Sequence, residues 1–509
     1  MKPPSPPTRA SKLKDLGDFQ TPPGLVSLVL DALGPIGGRF SRALEPTCGR
    51  GHFIAGLLDR PDPPREVRGF EVQPEHAEAA RALADRAAST RVVVEVADLF
   101  RVDLGRDVPW SESGPLLVVG NLPWVTTAAL GASGGGSGPE RSNSRRVRGI
   151  DAMTGGSNFD ISEAIWLKLI RELAPERPTI ALLCKSAVAR AVLRAIGLDD
   201  LPVARASIRR IDAPRWFRAG VDACLLEVEV GPGPKAAEAP VFPDLAATEP
   251  ASILGLAGDR LIADVDAYRR SSFADGACPL TWRQGVKHDA SPVMELVQGE
   301  DGRLRNGRGE VVDIETDYVF PLLKGTDLAG AKRPRPSRSV IATQRGLADD
   351  TAGLEGVAPR LWSYLDENRP TFERRKSSIY RGRPPFAMFG VGDYTFAPHK
   401  VAISGLHKAP RFRAVGPVGG RPTLLDDTCY FLPCRTSDQA ETLAEILNRP
   451  EALDLIRALA FSDAKRPITK AILQRIDLKA LLERAGKGEA WRHEWESDWP
   501  KSPRRAIPN

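Results

Sequence analysis

Asn121, Leu122, Pro123 and Trp124 follow an apolar run at residues 116–120, where a buried strand would break into a rigid turn. An Asn side-chain carbonyl and a neighbouring backbone carbonyl both accept hydrogen bonds. Together they can hold an exocyclic NH2 group, and an aromatic ring beside them can stack on the base that carries it. Asn-x-Pro at a strand end is also an ordinary turn, so the tetrapeptide gains meaning from its neighbours. Three other strand ends supply them. EPTCGRGHF sets Glu45, Gly49, Gly51 and Phe53 between a first strand and a helix, where glycines admit a ligand to the backbone and the helix offers free N–H groups. GFEVQP ends the second strand with Glu71 at its tip, suited to two ribose hydroxyls. ADLF ends the third with Asp98, suited to an adenine amine, and Phe100 beside it.

Residues 25–230 must hold these groups in register, and their patterns alternate between helix and strand in the manner of βαβ units. The expected fold class is α/β, a doubly wound and mostly parallel sheet, in which ligands bind outside the C-terminal strand ends. A Gly/Ser-rich loop ending in basic residues, 128–149, follows the NLPW turn. Asp160 or Ser162 reads as a helix N-cap. Residues 1–17 read as a disordered lead-in, 18–230 as the catalytic domain and 231–250, rich in Pro and Ala, as a linker. A mixed α+β domain is expected over 251–482 and a polar tail over 483–509. Short strands are expected there at DYVFPLL, SRSVIAT, FAMFGVG, KVAIS and CYFLP, with helices at the end.

No stretch approaches the roughly 20 consecutive apolar residues of a membrane span, and the basic, Pro-rich N-terminus lacks the apolar core of a secretory signal; a cytoplasmic protein is expected. Six scattered cysteines form no CxxC pair and no metal-ligand spacing with the six histidines, so buried free thiols are expected. His288, His399 and His407 lack partners at useful spacing. The +6 net charge is unevenly placed: residues 1–250 hold 31 basic and 31 acidic side chains, so the whole excess lies in the second half. Residues 329–413 hold 16 basic and 7 acidic side chains. That stripe could be a solvated face or a phosphate-binding surface. The candidates for nucleic-acid contact are Lys324, just before it, and Arg338, Arg345, Arg374, Arg375, Lys376, Arg381 and Arg383 within it, the last five interleaved with Tyr380 and Phe386.

Taken in order, these segments resemble the S-adenosylmethionine-dependent DNA methyltransferases that modify exocyclic amines, adenine N6 above all. DFQTPPGLV, with Thr21, looks like the family's F-x-T-P segment, EPTCGRGHF like its D/E-P-x-x-G-x-G-x-F motif, and Asn121–Trp124 like its N-P-P-Y/F/W tetrad with Leu122 in place of the first proline. The resemblance covers 18–230 and implies that Thr21, Glu45, Gly49, Gly51, Phe53, Glu71, Asp98, Phe100 and Asn121 hold S-adenosyl-L-methionine. It further implies that Asn121, Leu122, Pro123 and Trp124 grip a flipped-out adenine, with Phe217 as a clamp on its other face. Phe217 is equally readable as a core aromatic. YVFPLLKGTDLAG and RSVIATQR are similar, more loosely, to the recognition domain of the Taq-like enzymes, which implies double-stranded DNA as substrate and a separate restriction endonuclease as partner. A tetrad of the form N-L-P-Y/F also occurs in rRNA adenine dimethyltransferases, which keeps RNA adenine open as a substrate. A DNA-binding specificity protein with a vestigial transferase half is the non-enzymatic alternative.

Overall fold

The computed structural model describes residues 20–125, 160–233, 236, 238–330, 334–461, 463, 464 and 466–489. The lead-in, the loop at 128–149 and most of the polar tail lie outside the described residues. The chain divides into two compact units, residues 1–265 and 266–509.

In the first unit, β1 (Arg42–Glu45), β2 (Glu66–Glu71), β3 (Arg91–Val96), β4 (Leu116–Asn121) and β5 (Thr179–Lys185) pair in parallel in the order β3-β2-β1-β4-β5. β1 and β2 are buried along their whole length, as strands covered on both faces must be. The charged residues that β2 carries inward are paired, Arg68 Nε donating to Glu66 Oε1 at 2.8 Å. Helices α1 (Pro23–Ala32), α2 (His52–Leu58) and α3 (Pro74–Arg81) share one core with Ala43, Val67, Leu117, Val119 and Leu183. The alternate residues Leu44, Val118 and Leu182 point to the opposite face and are equally buried. Helix α4 (Ile161–Glu172) packs on α5 (Ser186–Leu198), and α5 packs on the sheet. The expected α/β fold class is the observed one.

The sheet continues through β7 (Ala223–Val230), antiparallel to both β5 and β6 (Val203–Ile211). The segment expected as a linker is not one. Within 231–250, β8 (Glu238–Phe242) pairs in parallel with β6, and β9 (Ser252–Ala257) and β10 (Arg260–Ile262) follow as antiparallel strands, giving ten strands in all. Pro240 hid this strand. Proline usually marks an edge or a loop, yet here it lies within a paired strand, and the β6–β8 pairing, Ile208–Arg209 with Val241–Phe242, begins just beyond it.

The second unit is mixed α+β. It holds a five-stranded sheet, β13 (Leu304–Asn306), β12 (Glu295–Gln298), β15 (Arg338–Ile341), β14 (Val319–Leu323) and β18 (Leu424–Leu425), in that order. A four-stranded antiparallel sheet contains β11 (Arg283–Gln284), β19 (Cys429–Cys434), β16 (His399–Ser404) and β17 (Arg413–Val415). The strand expected at FAMFGVG is absent: Phe386 and Met388 are core side chains in a loop, and Phe389 makes only an isolated bridge to Lys287. The C-terminal helices include Ser437–Leu447 and Pro450–Leu459, but ITKAILQRI shortens to Lys470–Leu473. All six cysteines are free and buried. Among the described residues no helix is long and apolar enough to cross a membrane, and no cluster of His, Cys, Asp and Glu could hold a metal ion.

Candidate active site

A cavity of about 550 Å³ opens at the C-terminal ends of β1 to β4, where the strand order reverses. Its walls include Thr21, Glu45, Gly49, Glu71, Asp98, Phe100, Asn121, Leu122 and Pro123. The volume lies within the range of small-molecule and cofactor sites.

Between β1 and α2 the chain turns through Gly49 and Gly51, both left-handed at φ 50° and 78°. A Cβ at Gly51 would meet Leu83 Cδ1 at 2.7 Å, so the turn demands glycine twice over. Gly51 is the N-cap of α2 and Phe53 is a core side chain; neither lines the cavity, so both support it from behind. Glu45 reaches from β1 to accept from the Ile54 amide at 3.1 Å. Burial holds its carboxyl well above the usual carboxylate range, opposed by hydrogen bonds from the Ile54 and Phe53 amides. Burial likewise pushes the Cys48 thiol up, which disfavours its thiolate form.

Glu71 accepts from the Gly49 amide at 2.9 Å and from the Gln73 amide at 2.8 Å. A carboxylate offers about four lone-pair positions; two are used in fixing its orientation and two remain, one for each hydroxyl of a ribose diol. Asp98 accepts from the Phe100 amide at 3.1 Å and holds Leu99 and Phe100 in a short turn. Carboxylates at two strand ends, apolar Leu99, Phe100, Ile161 and Ile165, and a glycine turn fit an adenosyl group.

The NLPW turn is braced on three sides. Leu122 N donates to Leu183 O at 3.2 Å, Ser162 Oγ donates to Pro123 O at 2.7 Å, and Ile161 N donates to Val125 O at 3.1 Å. Asp160 caps α4 through Ser162 N and pairs with Lys185 Nζ at 2.7 Å. Its residue type and place announced the cap; the pairing of Lys185 with it could not be read from spacing. Trp124 and Phe217 do meet, but as an edge-to-face pair with centroids 4.9 Å apart at 67°. A base held between two parallel faces needs them about 7 Å apart, two stacking distances. As placed, both rings belong to the core and do not form that slot.

The basic candidates of the second unit divide. Arg375 donates to the carbonyls of Pro385, Ala387 and His288 and lies 3.7 Å over the Tyr380 ring; burial lowers its pKa. Lys324 is ion-paired with Glu295 at 2.6 Å, and Arg338 stands 3.9 Å from Asp327. These three serve the domain's own structure. Tyr380 packs on Phe389 and Phe386 is fully buried, so neither is the exposed aromatic that the interleaving suggested. Arg345, Arg374, Lys376, Arg381 and Arg383 are exposed. His288 is buried, accepts from Ala290 N, and burial lowers its pKa to about 4, a structural role.

Comparison with known proteins bears on this geometry. No family model matches the chain. The type II methyltransferase M.NspV of Nostoc sp. (strain ATCC 29411 / PCC 7524) is 35% identical over 475 residues, which is 92% of this chain and 97% of that protein. The chain belongs to the type II methyltransferases. S-adenosylmethionine is therefore the cofactor of this type II methyltransferase. Among solved structures, the type IIL restriction-modification enzyme MmeI in complex with DNA is 12% identical with a TM-score of 0.46, over 96% of this chain and 73% of that one. The methyltransferase subunit of a type I restriction-modification system from Streptococcus thermophilus is 13% identical with a TM-score of 0.30, over 44% of this chain and 46% of that one. Likenesses this distant carry no argument; the family rests on the curated relative.

Proposed function

We propose that this methyltransferase acts on the exocyclic N6 amine of adenine in double-stranded DNA, as the modifying half of a restriction-modification pair whose endonuclease is a separate protein. One observation carries the reading: Asn121, Leu122 and Pro123 line the same cavity as Glu71 and Asp98. An Asn side-chain oxygen and the Leu122 carbonyl are two acceptors for the two hydrogens of one amine. The Leu122–Pro123 peptide has no N–H, so that edge presents only an acceptor. Held by both, the amine directs its lone pair away from them. When bound, S-adenosylmethionine supplies an electrophilic methyl group. The amine sheds its proton after attack, so no general base is required, and alignment with exclusion of water supplies most of the rate.

A paired adenine is out of reach, so the base must leave the stack. Trp124 is the aromatic nearest that position in sequence, and stacking on it requires its ring to be uncovered from Phe217. The exposed Arg345, Arg374, Lys376, Arg381 and Arg383 support a phosphate-bearing partner.

Mapping modified bases in the DNA of a host expressing the protein tests the reading. N6-methyladenine within one short sequence is expected. N4-methylcytosine, or methylated RNA with unmodified DNA, would overturn it. Asn121→Ala is expected to abolish the mark while cofactor affinity, measured by calorimetry, stays within about twofold.

A further inference from the structure

His52, the first residue of α2, lines the cavity, and its Nδ1 lies 2.7 Å from the Thr21 carbonyl oxygen. A carbonyl can only accept, so Nδ1 bears the hydrogen, and Nε2 is the acceptor of that tautomer. Among the described residues the His52 ring makes no other hydrogen bond. Its partner is itself fixed. Arg50 N donates to Gln20 Oε1 at 3.2 Å, and a side chain at Gly49 would collide with the Gln20 amide at 2.9 Å. The ring is thus oriented by a segment docked on the glycine turn.

The order of the strand ends indicates which part of the ligand meets it. Asp98, Leu99 and Phe100 at β3 suit a purine, Glu71 at β2 suits a ribose diol, and Asn121 at β4 suits the acceptor amine. The end of β1, with Gln20, Thr21, Thr47 and His52, remains for the zwitterionic amino-acid end of the cofactor. An ammonium offers three N–H donors and needs acceptors, which is what Nε2 provides once Nδ1 is committed.

We propose that His52 is a cofactor-specificity residue whose Nε2 accepts a hydrogen bond from the α-ammonium group of S-adenosylmethionine while Nδ1 locks the ring to Thr21. The proposal rests on the cofactor and is independent of which base is methylated.

Calorimetry on the full chain with three probes tests it: S-adenosylhomocysteine, its deaminated analogue that keeps the carboxylate, and 5′-methylthioadenosine, which lacks the whole amino-acid end. The wild type is expected to prefer S-adenosylhomocysteine over the deaminated analogue by about tenfold, the scale of one charge-assisted bond. His52→Asn keeps a donor for Thr21 and loses Nε2; it is expected to erase that preference and leave the other two affinities unchanged. His52→Gln returns an acceptor near the Nε2 position and is expected to recover part of the loss. Equal losses on all three probes would overturn the proposal, since the ring would then only support its neighbours. Losses on both carboxylate-bearing probes, or no loss at all, would overturn it too.

Discussion

Glu45 is a buried carboxyl in the cavity wall, held by the amides that open α2. Its raised folded-state pKa means that the folded protein keeps the proton longer than the unfolded chain does. Its contribution to stability is therefore complete below the ordinary glutamate range, about pH 4.3, and is lost as pH rises through the raised value. Glu45→Gln keeps an acceptor for Ile54 and removes the ionisable group. Between pH 4.5 and 8 the variant's melting temperature is expected to fall less than that of the wild type. For a unit of this size each kcal/mol moves the midpoint by about 2–4 °C. Parallel curves would mean that Glu45 does not titrate in this range. At this scale the sequence was legible where a residue's type and its strand-end position coincide: Glu71, Asp98 and Asn121 line one cavity. It was not legible where function depends on direction. Arg374, Arg375 and Lys376 are consecutive and equally basic, yet Arg375 alone turns inward, donating to four carbonyls.

The element that matters most to the NLPW turn is α4, whose first turn holds it in place. Ser162 is fully buried and donates to Pro123 O at 2.7 Å, while Asp160 is shared between the helix cap and Lys185. These bonds fix the Pro123–Trp124 peptide, and with it the direction in which the preceding Leu122 carbonyl faces. Ser162→Ala leaves Pro123 O without that donor, so the turn can shift by a fraction of an ångström. Small misplacements of a reacting group cost far more in rate than in binding. The expected outcome is a kcat about 10- to 100-fold lower with cofactor affinity unchanged. A kcat equal to the wild type's would show that the turn holds itself. Most elements of the first unit were readable because parallel strands buried on both faces leave continuous apolar runs, and helices such as α4 show a 3.6-residue period. FAMFGVG misled for the reason that VVGN did not. Both are apolar, but Phe386 and Met388 earn their burial as loop side chains packed under helices, and no neighbouring strand takes their backbone.

For the whole molecule, the position of the domain boundary decides which fragments can live alone. A boundary at 231–250 would leave β6 as an edge strand, with Ile208 and Arg209 unpaired where Val241 and Phe242 should lie. It would also strip α5 of one of the strands it packs on, since Gly197 comes so close to Leu256 that a Cβ there would meet Leu256 Cδ1 at 2.2 Å. An exposed edge beside uncovered apolar surface invites association between copies. Residues 1–265, by contrast, retain all ten strands of the sheet and the complete cavity. This fragment is expected to stay monodisperse, melt cooperatively and bind S-adenosylhomocysteine within about threefold of the full chain. It should have lost most DNA affinity, because the exposed basic residues of 345–383 are gone. A fragment ending at residue 237 is expected to aggregate. Size-exclusion chromatography and calorimetry on the two fragments decide the point: if the shorter one is as monodisperse and as competent for the cofactor as the longer, β8 to β10 are an appendage and not part of the catalytic unit.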